Sequence, residues 1–238
     1  MLSLASTAMF FGQLKKAEEL CKRALELFQS QDRKENASQS LLNLGANQSL
    51  MRRCDKAKAN AKAGLALSRG RFSLTSAAFV FATCDDVGQA QSLVDEAVKL
   101  SPKDTVIARF VVPVINAAVE KSRGNLSKAI ELLEAVRKYD LGFIVGLGNN
   151  YARGMIYLEQ RAGNEAAAEF QKIVDHPGID AQSPMHSLAH LGLARAAALS
   201  GDTAKSRKEY QDFFVAWKDA DADLPLLVQA KKEYEELK

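Results

Sequence analysis

His186 and His190 stand four residues apart, the spacing that puts two imidazoles on one helix face and that many metal sites use. Between them lies Ser187-Leu188-Ala189, without the glutamate of a His-Glu-x-x-His zinc motif, and no third ligand follows at a fixed offset. The pair reads as two helix histidines, and no metal is expected. His176, before Pro177, sits in a turn. Gly146-Leu147-Gly148 begins like a dinucleotide fingerprint, but Tyr151 fills the next glycine position and no strand precedes it, so it reads as loop. Asp140-Leu141-Gly142 has the outline of a kinase Asp-Phe-Gly variant. No His-Arg-Asp precedes it, and neither a glycine-rich nucleotide loop nor Ala-Pro-Glu occurs, so phosphoryl transfer is not expected. No cofactor is expected either.

Cys21, Cys54 and Cys84 make an odd count without a Cys-x-x-Cys spacing, against a disulfide framework or a zinc site. They read as reduced, inert helix thiols, which places the chain in a reducing, cytoplasmic setting. Asp219, Asp221 and Asp223 lack the glycine and glutamate of a calcium loop and read as the cap of a last helix. The enzyme class therefore has no cluster of titratable groups to build on.

The elements that must carry these residues are helices. Hydrophobic residues make up 47% and charged residues 26% of 238, with only 5 prolines, and Ala, Leu, Glu, Lys and Gln between them lose little entropy on entering a helix. A net charge of +3 is far from the bias that phosphate-backbone binding calls for, so no nucleic acid is expected. The uncharged run 1–14 is shorter than the roughly 18 residues of a membrane span. Residues 1–12 lack the basic start and cleavage site of a signal peptide, and fit a first helix better.

One element recurs: a small residue, then Ala or Ser twelve positions later opening a second amphipathic stretch. The pairs are Ala5 and Ala17, Gly45 and Ala57, Ala78 and Ala90, Ala117 and Ala129, Gly154 and Ala166, Ala194 and Ser206. Successive second members stand 40, 33, 39, 37 and 40 residues apart, near the period of about 34 of tetratricopeptide repeats with loop insertions. Leu44-Gly45, and Gly154 with Tyr157, Ala166 and Phe170, reproduce motif positions, and Pro102 follows Ala90 where the motif's proline falls. Small side chains there let two helices close until larger neighbours interlock. Turn chemistry falls at Gly12-Gln13, Arg123-Gly124-Asn125, Ala162-Gly163-Asn164 and Ser200-Gly201-Asp202. Ser183-Pro184 and Asp223 before Pro225 read as helix starts. Pro113 falls inside a helix and predicts a bend, and the three glycines of 142–148 predict a long loop.

The expected fold is an all-α, tetratricopeptide-type α-α superhelix (solenoid) of about six hairpins and a capping helix, some thirteen helices in all. A single domain 1–238 is expected, with repeats at 1–34, 35–70, 71–103, 104–142, 147–180 and 184–220. The cap at 224–237 is expected to pack on 210–217.

Tyr139-Asp140-Leu141-Gly142, Glu165-Ala166-Ala167-Ala168-Glu169-Phe170-Gln171-Lys172-Ile173, Gly201-Asp202-Thr203-Ala204-Lys205, Tyr210-Gln211-Asp212-Phe213-Phe214 and Trp217-Lys218-Asp219-Ala220-Asp221 carry a closer likeness. Together they resemble the C-terminal tetratricopeptide region of bacterial, notably acidobacterial, eukaryotic-like serine/threonine protein kinases. The resemblance covers about residues 105 to 237, and the earlier part only at repeat level. Similar tails occur on winged-helix transcriptional regulators. The resemblance implies a non-enzymatic module that binds a protein or peptide segment, since this chain carries neither catalytic nor DNA-binding motifs.

First helices of such hairpins line a groove, and the register projects Asn43, Phe72, Phe79, Ile115, Tyr151, Met155 and Arg195 onto it, with Leu42, Ala46, Thr75, Val114, Ala118 and Leu191 beside them. That face is mostly apolar and suits an apolar segment; some of these side chains could equally serve as inter-repeat core. A rival surface is the basic stretch 52–71, where Arg52, Arg53, Lys56, Lys58, Lys62, Arg69 and Arg71 face only Asp55; it reads as a solvated helix face or a dock for an acidic partner. Homo-oligomer formation stays open.

Overall fold

The computed structural model describes residues 1–142 and 146–237. Among them lie thirteen α-helices and no strand. They are α1 (Leu2–Phe10), α2 (Leu14–Ser30), α3 (Lys34–Leu50), α4 (Cys54–Leu67), α5 (Arg71–Thr83), α6 (Val87–Leu100), α7 (Val112–Ser122), α8 (Leu126–Ala135), α9 (Gly148–Glu159), α10 (Gly163–Val174), α11 (Met185–Leu199), α12 (Thr203–Ala216) and α13 (Pro225–Glu236). Among the described residues no helix is long and apolar enough to cross a membrane. The chain forms two compact units, one of Met1–Ala5 with Leu14–Val136 and one of Ser6–Gln13 with Arg137–Lys238.

The hairpins close on the small residues that repeat every twelve positions. Ala17, Ala57, Ala90, Ala129, Ala166 and Ser206 are each 0% exposed. Gly45 lies so near α4 that a Cβ there would meet the Ala57 carbonyl at 3.0 Å, and Ser206 Oγ donates to the Ala194 carbonyl at 2.8 Å. At that separation ridges of one helix enter grooves of the next, and each methyl or hydroxyl fills the space left to it.

Hairpin turns share one backbone device. Gln13, Arg53, Asp86, Asn125, Ala162 and Asp202 each donate an N–H to the carbonyl five residues back, at 2.8 to 2.9 Å. The residue before each is left-handed: Gly12, Arg52, Asp85, Gly124, Arg161 and Gly201, with φ between 59° and 81°. This is the Schellman closure of a helix C-terminus, which satisfies carbonyls the helix cannot. Arg52, Asp85 and Arg161 adopt it against the Cβ clash of a non-glycine residue. Gly163, expected in a turn, instead opens α10, and a Cβ there would meet Ser200 Oγ at 2.6 Å and the Ala196 carbonyl at 2.8 Å.

In the N-terminal unit α3–α4, α5–α6 and α7–α8 pair, and α3, α5 and α7 contact in series. Their core holds Leu42, Leu74, Phe81, Leu93, Ile115 and Val119. The proline problem at Pro113 is met by a π-helical stretch, Ile107–Val111, directly before α7. There the Val112 N–H donates to the Ile107 carbonyl five residues back, a wider turn that gives the proline ring room against the preceding turn.

The cysteine expectation fails for two of three residues: Cys54 and Cys84 form a disulfide and only Cys21, buried, is free. Their separation of 30 residues carried no sequence signal, but the first residue of α4 and the residue after α5 meet where neighbouring hairpins stack. Closing a loop of that length contributes about 3–4 kcal/mol on the chain-entropy account. With it goes the cysteine argument for a cytoplasmic setting.

In the C-terminal unit α9–α10 and α11–α12 pair, and α10 and α9 both contact α11. Phe170, 0% exposed, is the wedge: a Cβ on Gly154 of α9 would lie 2.7 Å from its ring and one on Gly192 of α11 2.6 Å. Helix α13 covers part of α12, with Tyr210 and Tyr234 rings 5.9 Å apart, Phe214 and Tyr234 5.6 Å apart, and Tyr210 Oη donating to Glu233 at 2.9 Å. Trp217 is closed instead by the N-terminal segment, its indole N–H donating to the Phe10 carbonyl at 3.1 Å beneath Gly12. The cap position of α13 is Leu224, in extended conformation, and no side chain caps this helix, so the aspartates do not serve as expected. Of the predicted loop at 142–148, residues 143–145 lie outside the described residues, and Gly148 already opens α9.

Alanine ordinarily stabilises a helix over glycine by about 1 kcal/mol. At Gly192 the Phe170 ring reverses this, and Gly192→Ala is expected to lower stability by about 1–3 kcal/mol. Gly88→Ala, where no atom lies within 4 Å, is expected to leave it unchanged or raised. Urea denaturation of the two variants checks the pair; equal behaviour would contradict the wedge.

Candidate interaction surface

In the N-terminal unit, first helices α3, α5 and α7 present a row of apolar side chains that the core holds without covering. Ala46, Phe79, Val111, Val112 and Ala118 are partly buried against the core cluster. Two hydroxyl pairs tie α3 to α5: Ser38 with Ser73, both buried, and Thr83 donating to Ser49, each at 3.0 Å. These bonds satisfy polar groups that would otherwise be desolvated without partners, and they set the two helices against each other.

Of the residues projected onto the groove, Asn43 is exposed on α3 and Phe72 is 52% exposed at the start of α5. The Arg71 guanidinium lies 4.5 Å from the Phe72 ring centre, a cation–π contact, and also pairs with Asp104. Phe79 is partly buried, whereas Ile115 is 1% exposed and belongs to the core. In the C-terminal unit Tyr151 and Met155 are partly buried on α9, Tyr151 edge-on to Phe170 with centres 5.9 Å apart. Arg195 is engaged within the fold: its Nε donates to Glu233 of α13 at 2.9 Å.

The basic stretch is answered from other helices. Lys56 pairs with Glu18 at 2.8 Å and Arg69 with Glu96 at 2.5 Å. Arg52 takes the left-handed turn position and Arg53 the residue before α4, while Lys58 is half-buried and Lys62 exposed. Counting charges in one window of sequence leaves out these carboxylates.

A polar cluster that the sequence reading passes over lies in the C-terminal unit. Arg153, 0% exposed, occupies the position before Gly154 that Leu44 holds before Gly45. It pairs with Asp140 and, at 3.0 Å, with Glu169. Asn149 donates to Asp140 at 3.2 Å, and Asn150 and Lys172 donate to Glu169 at 2.9 Å. A buried guanidinium is tolerable only with such partners. The Asp140-Leu141-Gly142 triplet thus supplies an ion-pair partner. The available signal is a charged residue at a motif position where no other repeat carries a charge. Burial drives the Glu169 carboxyl upward, but hydrogen bonds from Arg153, Lys172 and Asn150 overcome this and hold its pKa lowered to about 2.

The two helix histidines part company. His186 Nε2 lies 3.0 Å from the Ile179 carbonyl, and His190 Nδ1 lies 2.7 Å from Glu209 Oε2.

A family model described as tetratricopeptide repeat matches residues 1–70. No curated protein matches. Among solved structures, the crystal structure of YrrB, described as a TPR protein with an unusual peptide-binding site, is similar over 81% of this chain and 91% of that one, at 16% identity and a TM-score of 0.45.

Because the folded pKa of Glu169 is lowered from 4.5 to about 2, its contribution to stability is full above the unfolded value and drains away as pH falls through that window. Glu169→Gln is therefore expected to be less stable than the parent chain at neutral pH, with the gap narrowing towards pH 2. Denaturant midpoints across this range check it, and a gap that stays constant would contradict it.

Proposed function

We propose that this chain is a non-enzymatic interaction module that binds a protein segment along the apolar row of α3, α5 and α7. The observation carrying this reading is that Ala46, Phe79, Val112 and Ala118, on three successive first helices, are held by the core yet left partly open. Side chains so placed offer apolar area without an ordering cost of their own, which favours a preorganised groove. Phe72, exposed at the end of the row, is its aromatic anchor. Met155 on α9 holds the corresponding position of the C-terminal unit, with Tyr151 one turn before it. The tetratricopeptide match over residues 1–70 supports the reading.

The resemblance of residues 105 to 237 supports placing the module beside a bacterial serine/threonine kinase. The partner would then be a segment of a protein that the kinase serves. Lys58 and Lys62 are the part of the basic stretch open to an acidic partner, and salt dependence separates the two surfaces.

A partner recovered with the intact chain and identified by mass spectrometry provides the ligand for titration. Phe72→Ala and Phe79→Ala are each expected to weaken binding roughly thirtyfold, about 2 kcal/mol, with helical content unchanged and little dependence on salt. Normal binding by both variants, with affinity lost in high salt and in Lys58→Glu/Lys62→Glu, would overturn the groove in favour of the basic surface.

A further inference from the structure

His190, read from the sequence as a plain helix histidine, lies beside two carboxylates. It projects from α11, while Glu209 and Asp212, three residues apart, project from α12 of the same hairpin. One ligand atom from each of the three lies within 4.8 Å of the other two. We propose that these three side chains form a binding site for a divalent transition-metal ion, zinc above all.

The frame is rigid where a site needs it. Helices α11 and α12 are locked by the Ser206 bond to the Ala194 carbonyl, one turn from Glu209. Glu209 is buried, at 9% exposure, and sits 2.7 Å from His190 Nδ1, so a carboxylate has been taken out of water beside a ring that can be neutral. Two carboxylates against one imidazole leave an excess of negative charge, whichever form the ring takes, that a cation answers. One cation already answers part of it: Lys208 Nζ reaches Asp212 at 2.5 Å, from a side chain 69% exposed. That ammonium can swing into water at little cost, vacating the carboxylate.

The donor set selects the metal. Calcium asks for six to eight oxygens and magnesium for an octahedron of them, which two carboxylates do not begin to supply. One imidazole nitrogen with two carboxylate oxygens is a borderline set, taken by zinc at about 2.0–2.2 Å per ligand, with water completing the tetrahedron. The atoms start farther apart than bonded ligands do, and rotation of Asp212, half-exposed at the rim, closes the difference. On binding, the neutral ring carries its proton on Nε2 and offers the Nδ1 lone pair to the metal, so the His190–Glu209 hydrogen bond is exchanged for two metal bonds. The ion then staples α11 to α12 and stabilises the last hairpin.

The test is equilibrium dialysis of the intact oxidised chain against zinc alone, read by elemental analysis, with thermal melting beside it. One ion per chain is expected at about 100 µM zinc, and the metal should raise the melting temperature. His190→Ala and Asp212→Asn should each weaken binding at least roughly tenfold. Lys208→Ala should tighten it, and His186→Ala should bind as the parent does. Asp212, at the surface, keeps the test sound if His190→Ala is poorly folded. Failure of the parent chain to take up zinc, or undiminished uptake by Asp212→Asn, would overturn the site.

Discussion

Close approach of paired helices at small residues is the constraint on which the rest of this protein depends. Six second-helix positions, Ala17 through Ser206, have no exposed surface, and the partner helix stands against them at carbonyl distance where Gly45 faces Ala57. With spacing set there, large side chains have one place to go. Phe170 enters the gap left by Gly154 and Gly192, and Leu42, Phe81 and Ile115 fill the N-terminal core. Interiors at this density transmit any added methylene as strain.

The same constraint shapes the proposed binding face. First helices stacked in register bring position-equivalent side chains into a row, and a row pressed against a core from one side is left open on the other. Ala46, Phe79 and Ala118 are apolar because they close the core, and that chemistry is what an apolar partner segment requires. The proposed binding surface is thus a by-product of packing, with Phe79 on α5 placed to serve both. Polar chemistry gathers where charged partners meet, as where Arg153 pairs with Asp140 and Glu169, or where a titratable group meets carboxylates at a hairpin edge, as at His190.

Much of this was legible in the sequence. The twelve-residue spacing marks helix crossings because a small residue is the only chemistry the crossing accepts, so residue type alone reveals position. The helix count and pairing follow from it. Arg52, Asp85 and Arg161 escaped because a Schellman closure is held by backbone bonds, and residues other than glycine can be forced into it. Gly163 misled for the converse reason, its small size serving helix approach and not a turn. The Cys54–Cys84 bond and the Arg153 cluster depend on contacts between hairpins, which spacing within one hairpin does not encode. Ile115 shows the same limit on the groove, since a one-residue rotation about the helix separates core from surface.

The central claim is that hairpin spacing is dictated where small buried residues meet the facing helix, and not at the exposed positions of the same helices. One comparison on α4 addresses it directly, because Ala57 is buried at the crossing while Ala63 on the same helix is exposed. The measurement is the urea-unfolding free energy of Ala57→Leu beside that of Ala63→Leu, two identical chemical changes six residues apart in one helix. The account predicts a loss of about 1–3 kcal/mol or more for the first and a change within roughly 0.5 kcal/mol for the second. Equal effects at the two positions would contradict it.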